Sequence, residues 1–166
     1  MRKIIRTVTS KVMLVYSAAA AVALAALIVA AFIQIVGRYV LNASPGWTEE
    51  LSRFAFIWCS SLGAAIALDK GSHAAITILG DHLPRGARRV LHLLLTALTL
   101  GISVMIAVKG FELAAATINT PSPAMRIPMA YVNIAICFCG AGMALASLSA
   151  LVSPADADQG EEETVP

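Results

Sequence analysis

Charged residues are scarce in this sequence. Asp, Glu, Lys and Arg together make up 13% of its 166 residues, whereas about 25% is usual for a globular domain. Hydrophobic residues reach 58%, which is more apolar surface than a core of this size can bury. Intrinsic disorder requires the opposite balance, and nucleic-acid binding requires a strongly basic chain rather than a net charge of +2. The composition therefore predicts an integral membrane protein.

Cysteine is scarce as well, and Cys59, Cys137 and Cys139 all lie in apolar stretches. This number and placement exclude a secreted disulfide framework. Cys137 and Cys139 do not form a metal motif, because alternate residues of a helix diverge by about 200°. We predict no metal site, no cofactor and no catalytic residue, and hence a protein that is not an enzyme.

Long apolar runs account for about half of the chain. The first, 12–36, would extend about 37 Å as a helix, against about 30 Å for the hydrocarbon core of a bilayer. A cleavable signal peptide is the alternative for this run, but its apolar region would have only about 7–15 residues. Because a bilayer cannot satisfy free backbone groups, such runs must be helical. The sequence predicts an all-α membrane protein with four transmembrane helices, at about 12–36, 47–68, 90–108 and 131–152.

Lys and Arg are distributed unevenly around this membrane domain, 12–152. The basic N-terminus, 1–11, and the second loop, 69–89, carry eight of them, whereas the first and third loops carry three. The positive-inside rule then places both termini and the second loop in the cytoplasm. The acidic C-terminal tail, 153–166, is expected to be disordered.

The second loop is too apolar to be a plain linker. Within 72–84, apolar residues fall on one helical stripe and polar residues, including His73, on another. This pattern predicts a short amphipathic helix in the cytoplasmic interface, between spans two and three. The basic cluster that follows it would face lipid phosphates. This cluster consists of Arg85, Arg88 and Arg89.

The middle of every predicted span lacks an ionisable residue. A transporter that moves charged solutes through its own bundle normally places such residues near the bilayer midplane. We therefore predict that this chain does not transport by itself. The same absence argues against a small multidrug exporter, which would need an acidic residue in the middle of a span.

A haem-bearing membrane anchor of a respiratory enzyme is the alternative function. Haem ligation in a bundle needs histidines from facing helices at membrane depth. His73 and His82 fall in the second loop, and His92 lies only two residues into the third span. Histidines at the membrane interface are therefore the better interpretation.

The densest group of polar residues, 46–53, lies at the start of the second span. Ser44 or Thr48 can cap this helix. Glu49 and Glu50 then lie in its first turn, where negative charge suits the free N–H groups and the helix dipole.

Arg53 follows Glu49 by four residues and Glu50 by three, so it can pair with either. Three interpretations are open: a capped and neutralised helix start, an interface with another membrane subunit, and a catalytic carboxylate pair. The last is the weakest, because adjacent residues of a helix point about 100° apart. The candidate subunit interface consists of Trp47, Glu49, Glu50 and Arg53.

Small residues recur at four-residue spacing in two of the spans. They provide flat faces on which helices pack closely, either within the bundle or against a partner. The pairs are Ser60 and Ala64, Gly63 and Ala67, Gly140 and Ala144, and Gly142 and Ala146.

Several motifs follow one another in a distinctive order over residues 12–152. They are Gly37-Arg38-Tyr39, Trp47-x-Glu49-Glu50-x-x-Arg53, Trp58-x-x-x-x-Gly63-Ala64-Ala65, Lys70-Gly71-x-His73, Leu83-Pro84 before the basic cluster, and Ser122-Pro123-Ala124-Met125-Arg126-Ile127-Pro128. With this order and spacing, the sequence resembles the small membrane subunit, DctQ-like, of tripartite ATP-independent periplasmic (TRAP) transporters.

The resemblance implies a supporting role in the membrane. In that family a large permease subunit carries the sodium-coupled transport path, and a periplasmic receptor captures an organic acid. The small subunit supports the large one in the inner membrane of a bacterium. The expected partners are therefore the large permease, the periplasmic substrate-binding protein and membrane lipids, with no nucleic acid.

Overall fold

A computed structural model describes the backbone of residues 2–40, 42, 45–80 and 85–152. Side chains are described for 5–40, 42, 45–71, 87 and 90–151. The described residues form four helices: α1 (Arg2–Tyr39), α2 (Gly46–Gly80), α3 (Arg85–Ala116) and α4 (Ala130–Val152). All four are long and apolar enough to cross a membrane, over Ile5–Tyr39, Gly46–Gly71, Val90–Ala116 and Ala130–Leu151. The prediction of an all-α protein with four membrane-spanning helices is confirmed.

Three of the helices extend further than the apolar runs. α1 begins ten residues before position 12, α2 continues through Asp69-Lys70-Gly71, and α3 continues through Lys109-Gly110 to Ala116. The spans predicted from the apolar runs therefore end before the helices do, because backbone hydrogen bonds continue wherever a charged side chain can reach water or a partner. Lys109 has such a partner, since its Nζ lies 2.7 Å from Glu112 Oε2 one turn later.

The interfacial helix between spans two and three is not a separate element in the structure. The backbone of residues 72–80 continues α2 without a break. The side chains of 72–80, and all of 81–84, lie outside the described residues, so the amphipathic pattern of this segment stays a prediction. The tail, 153–166, also lies outside them.

The helices pack in the order α1, α2, α4, α3, with α2 and α4 in the centre. The α3–α4 contact is close because glycines take part in it. A Cβ added at Gly140 would meet the backbone of Ala107 and Ser103, and one added at Gly110 would lie 2.5 Å from the Cys137 nitrogen. This is the close approach that small residues allow between membrane helices.

α4 meets its other neighbours through Gly142 and through hydrogen bonds. A Cβ at Gly142 would lie 2.5 Å from the Tyr16 ring of α1 and 2.8 Å from Ala65 Cβ of α2. The Tyr16 hydroxyl donates to the Phe138 carbonyl at 3.0 Å. Trp58 Nε1 donates to the Tyr131 carbonyl at 3.1 Å, so both contacting helices are tied to α4.

Candidate subunit-contact site at the start of α2

The segment between α3 and α4 folds back on itself and is called the α3–α4 hairpin (residues 117–129). Ser122 N–H donates to the Ile127 carbonyl at 2.8 Å, and Met129 N–H donates to the Thr120 carbonyl at 2.9 Å. Arg126 takes a left-handed conformation, with φ of 57°, which reverses the chain direction. The hairpin therefore presents the backbone N–H groups at its tip to the start of α2.

Glu50 accepts these donors. Its side chain is buried, with only 6% of the residue exposed. Oε2 receives hydrogen bonds from Met125 N–H at 2.6 Å, Ser122 Oγ at 3.0 Å and Ala124 N–H at 3.2 Å. The carboxylate is thus satisfied within the chain, as a buried charge must be. Glu50 fixes the hairpin to α2.

Glu49 and Arg53 form a different kind of contact. Arg53 Nη2 lies 2.9 Å from Glu49 Oε1, and the two side chains are 64% and 62% exposed. The pair lies on the surface of α2, with Arg53 one turn after Glu49. It is open to water, lipid or another protein.

Trp47 is exposed at the same end of α2, with 44% of its surface free. An indole with one apolar face and one N–H donor suits this position near a membrane boundary. Three of the four predicted site residues, Trp47, Glu49 and Arg53, are therefore accessible. The fourth, Glu50, belongs to the interior.

The predicted cap of α2 differs from the observed helix start. Thr48 is buried and its Oγ1 donates to the Pro45 carbonyl at 2.7 Å, rather than accepting from a free N–H group. Its side chain therefore closes the turn that leads into the helix. Ser44, the other predicted cap, lies outside the described residues.

Sequence reasoning missed the three partners of Glu50 in the hairpin, which are Ser122, Ala124 and Met125. Two of them act through backbone N–H groups, which no side-chain pattern reveals. In the sequence, the hairpin carries a signal only through the motif Ser122–Pro128 that contributes to the family resemblance.

The side chains of His73, Arg85, Arg88 and Arg89 lie outside the described residues, so their contacts with lipid stay a prediction. Among the side chains that the structure describes, no three His, Cys, Asp or Glu residues form a group that could hold a metal ion. The described polar groups at the start of α2 are held by hydrogen bonds and by the Glu49–Arg53 ion pair.

The fold and this site define a small, multi-pass, all-helical membrane protein whose charged residues lie near the ends of its spans. The sequence profile of one family, described as tripartite ATP-independent periplasmic transporters, DctQ component, matches residues 27–157. This match covers most of the chain. The protein therefore belongs to the DctQ family of TRAP transporter small permease subunits and is a multi-pass protein of the inner membrane.

Individual relatives agree with this assignment. The chain is 37% identical over 68 residues to a protein of Haemophilus influenzae named as a TRAP transporter small permease protein. This match covers 41% of this chain and 42% of the relative. It is 38% identical over 85 residues to the sialic acid TRAP transporter small permease protein SiaQ of Vibrio cholerae. This match covers 51% of this chain and 46% of the relative. The matched part of the chain thus spans less than half the length of these two relatives.

A third relative is the isethionate TRAP transporter permease protein DctMQ of Oleidesulfovibrio alaskensis, 28% identical over 88 residues, covering 52% of this chain and 14% of the relative. The relatives are named as transporter subunits and not as enzymes. They give no support to the alternative of a haem-bearing respiratory anchor.

Proposed function

We propose that this chain supports a large TRAP permease in the membrane during sodium-coupled uptake of an organic acid, which a periplasmic substrate-binding protein delivers. The observation that carries the proposal is the position of the described charges. In α4 the span Ala130–Leu151 contains none, and in the other three spans they lie toward the ends. A bundle of this kind offers no polar path for a carboxylate, so the path belongs to a partner.

The DctMQ relative supports a large permease as that partner. Its name joins two components, and this chain matches only 14% of its length. A much longer permease portion therefore accompanies the matching segment in one polypeptide. A covalent link of this kind is expected where two subunits function side by side.

The exposed part of the site supplies the proposed contact with the large permease. Trp47 and the Glu49–Arg53 pair lie together at the start of α2 and are open. Charged groups at the edge of a bilayer are stabilised when a partner protein pairs with them or offers them hydrogen bonds. Glu50 contributes indirectly, because it holds the hairpin beside them.

The orientation follows the Lys and Arg distribution, with both termini in the cytoplasm. In this orientation the start of α2 and the α3–α4 hairpin face the periplasm. The end of α2 and the basic cluster then lie on the cytoplasmic side, where we expect His73, Arg85, Arg88 and Arg89 to contact lipid headgroups.

Reconstitution tests the proposed function. Vesicles with the large permease, the binding protein and an inward sodium gradient should accumulate substrate only when this chain is also present. Vesicles with this chain and no large permease should not. Accumulation by this chain alone, or full accumulation without it, would contradict the proposal.

A further inference from the structure

An apolar groove of about 630 Å³ runs along the side of the bundle between α1 and α2. On α1 it extends from Val15 to Ala26, and on α2 from Leu51 to Leu62. At one end the α3–α4 hairpin closes it with Met125 and Ile127. The contacts within this chain leave the groove unfilled, and its depth along the spans places it among lipid tails.

The groove is shorter than a membrane span. From Val15 to Ala26 a helix rises about 17 Å, which is half of the hydrocarbon core of about 30 Å and therefore about the depth of the acyl chains of one leaflet. A helix of a partner protein would cross the whole core, whereas acyl chains of one leaflet match the length of the groove.

The hairpin places a positive charge at one end of the groove. Arg126 lies in the chain between the lining residues Met125 and Ile127, is exposed, and is in neither of the described ion pairs. Tyr131, which is 68% exposed, also lines this end. A cation and an amphipathic aromatic ring at the end of an apolar groove suit a phosphate above acyl chains.

We propose that this groove is a binding site for a phospholipid, with its acyl chains between α1 and α2 and its phosphate at Arg126. The proposal does not depend on which side of the membrane the hairpin faces. It also does not depend on the proposed transport function. A helix of the large permease is the competing occupant.

Quenching of tryptophan fluorescence tests the acyl-chain part. Trp58 lines the groove, and the chain has only one other tryptophan, so Trp47→Phe leaves a single reporter. In vesicles of phospholipid brominated on its acyl chains, Trp58 should be quenched. Ala19→Leu and Ala23→Leu, which fill the groove, should lower that quenching at least twofold.

Ala21→Leu and Ala25→Leu are matched controls, because both lie on α1 and neither lines the groove. They should leave the quenching unchanged, with equal helix content by circular dichroism in all variants. Equal quenching in the groove-filling and control variants would overturn the proposal.

Two further measurements address the headgroup and the competing occupant. Phospholipid phosphorus retained by the purified protein should fall severalfold in Arg126→Ala and stay constant in Arg38→Ala, which changes another exposed arginine. Equal retention in both variants would contradict the headgroup contact.

A photo-crosslinking residue at Val22 should add the mass of a phospholipid when the complex with the large permease is illuminated. A crosslink to the large permease would assign the groove to a helix and overturn the proposal.

Discussion

The carboxylate of Glu50 accepts a hydrogen bond of 2.6 Å from the backbone N–H of Met125, which lies 75 residues further along the chain. This bond, with those from Ser122 and Ala124, joins the start of α2 to the segment between α3 and α4. Glu50 thus holds the start of α2 and the α3–α4 hairpin side by side on one surface of the protein.

Replacement of Glu50 by Ala should release the α3–α4 hairpin. The N–H groups of Ala124 and Met125 lose their acceptor, so hydrogen exchange of residues 122–126 should accelerate by about tenfold or more, since bonds to a charged acceptor are among the stronger ones. The apparent Tm in detergent should fall. Glu49→Ala is the matched control, because that side chain is exposed, and it should leave exchange in the hairpin unchanged. Unchanged exchange in both variants would contradict the role of Glu50.

Replacement of Arg53 by Ala separates stability from assembly. In the isolated chain the loss should be about 0–1 kcal/mol, because the Glu49–Arg53 pair is exposed. In the complex the same change leaves a carboxylate uncompensated at the interface, which costs about 3–5 kcal/mol and weakens association by about a hundredfold or more. Recovery of the large permease on a tagged small subunit measures this effect.

Lys109→Ala is the control for that experiment, since Lys109 and Glu112 form the second exposed pair of the described residues. It should leave recovery of the large permease intact. If Arg53→Ala and Lys109→Ala both recover it at the wild-type yield, the start of α2 is not the subunit interface.

Two glycine substitutions should have opposite effects on stability. Gly140→Ala places a methyl group against the backbone of Ala107 and should destabilise the protein by about 1–3 kcal/mol, as overpacking does. Gly63 has nothing within 4 Å of its added Cβ, so Gly63→Ala should stabilise the isolated chain by about 0.4–1 kcal/mol. Denaturant unfolding in detergent measures both. Equal effects at the two positions would contradict the close α3–α4 contact.

Cysteine labelling tests the orientation. In a variant without Cys59, Cys137 and Cys139, an impermeant thiol reagent added outside spheroplasts should label Pro123→Cys and not Ala87→Cys. Both positions are exposed, so a difference reports the side of the membrane rather than burial. The reverse labelling pattern would reject cytoplasmic termini.

The sequence predicted the number of membrane spans and their approximate positions, because apolar runs of such length have one stable form in a bilayer. It did not predict where α2 and α3 end. Hydropathy marks where a chain leaves lipid, whereas a helix continues as long as its backbone hydrogen bonds do. Asp69 and Lys109 are both compatible with a helix that extends beyond the hydrocarbon.

The candidate site was predicted as one cluster and consists of two parts. Helical spacing correctly indicated the Glu49–Arg53 pair, because both residues belong to one element. The same spacing also allowed Glu50 to pair with Arg53. Its actual partners lie beyond the end of α3, and neither periodicity nor composition indicates which distant backbone will approach a carboxylate.

The separation between Glu50 and its partners along the chain has a consequence for biosynthesis. At about 5–20 residues per second, a ribosome reaches Met125 roughly 4–15 s after Glu50. During this interval α2 can already be in the bilayer, while its Glu50 carboxylate has not yet met its partners in the hairpin. Capture of the α3–α4 hairpin by Glu50 therefore follows the synthesis of α3, so α2 must hold a carboxylate at the membrane edge for several seconds before the hairpin covers it.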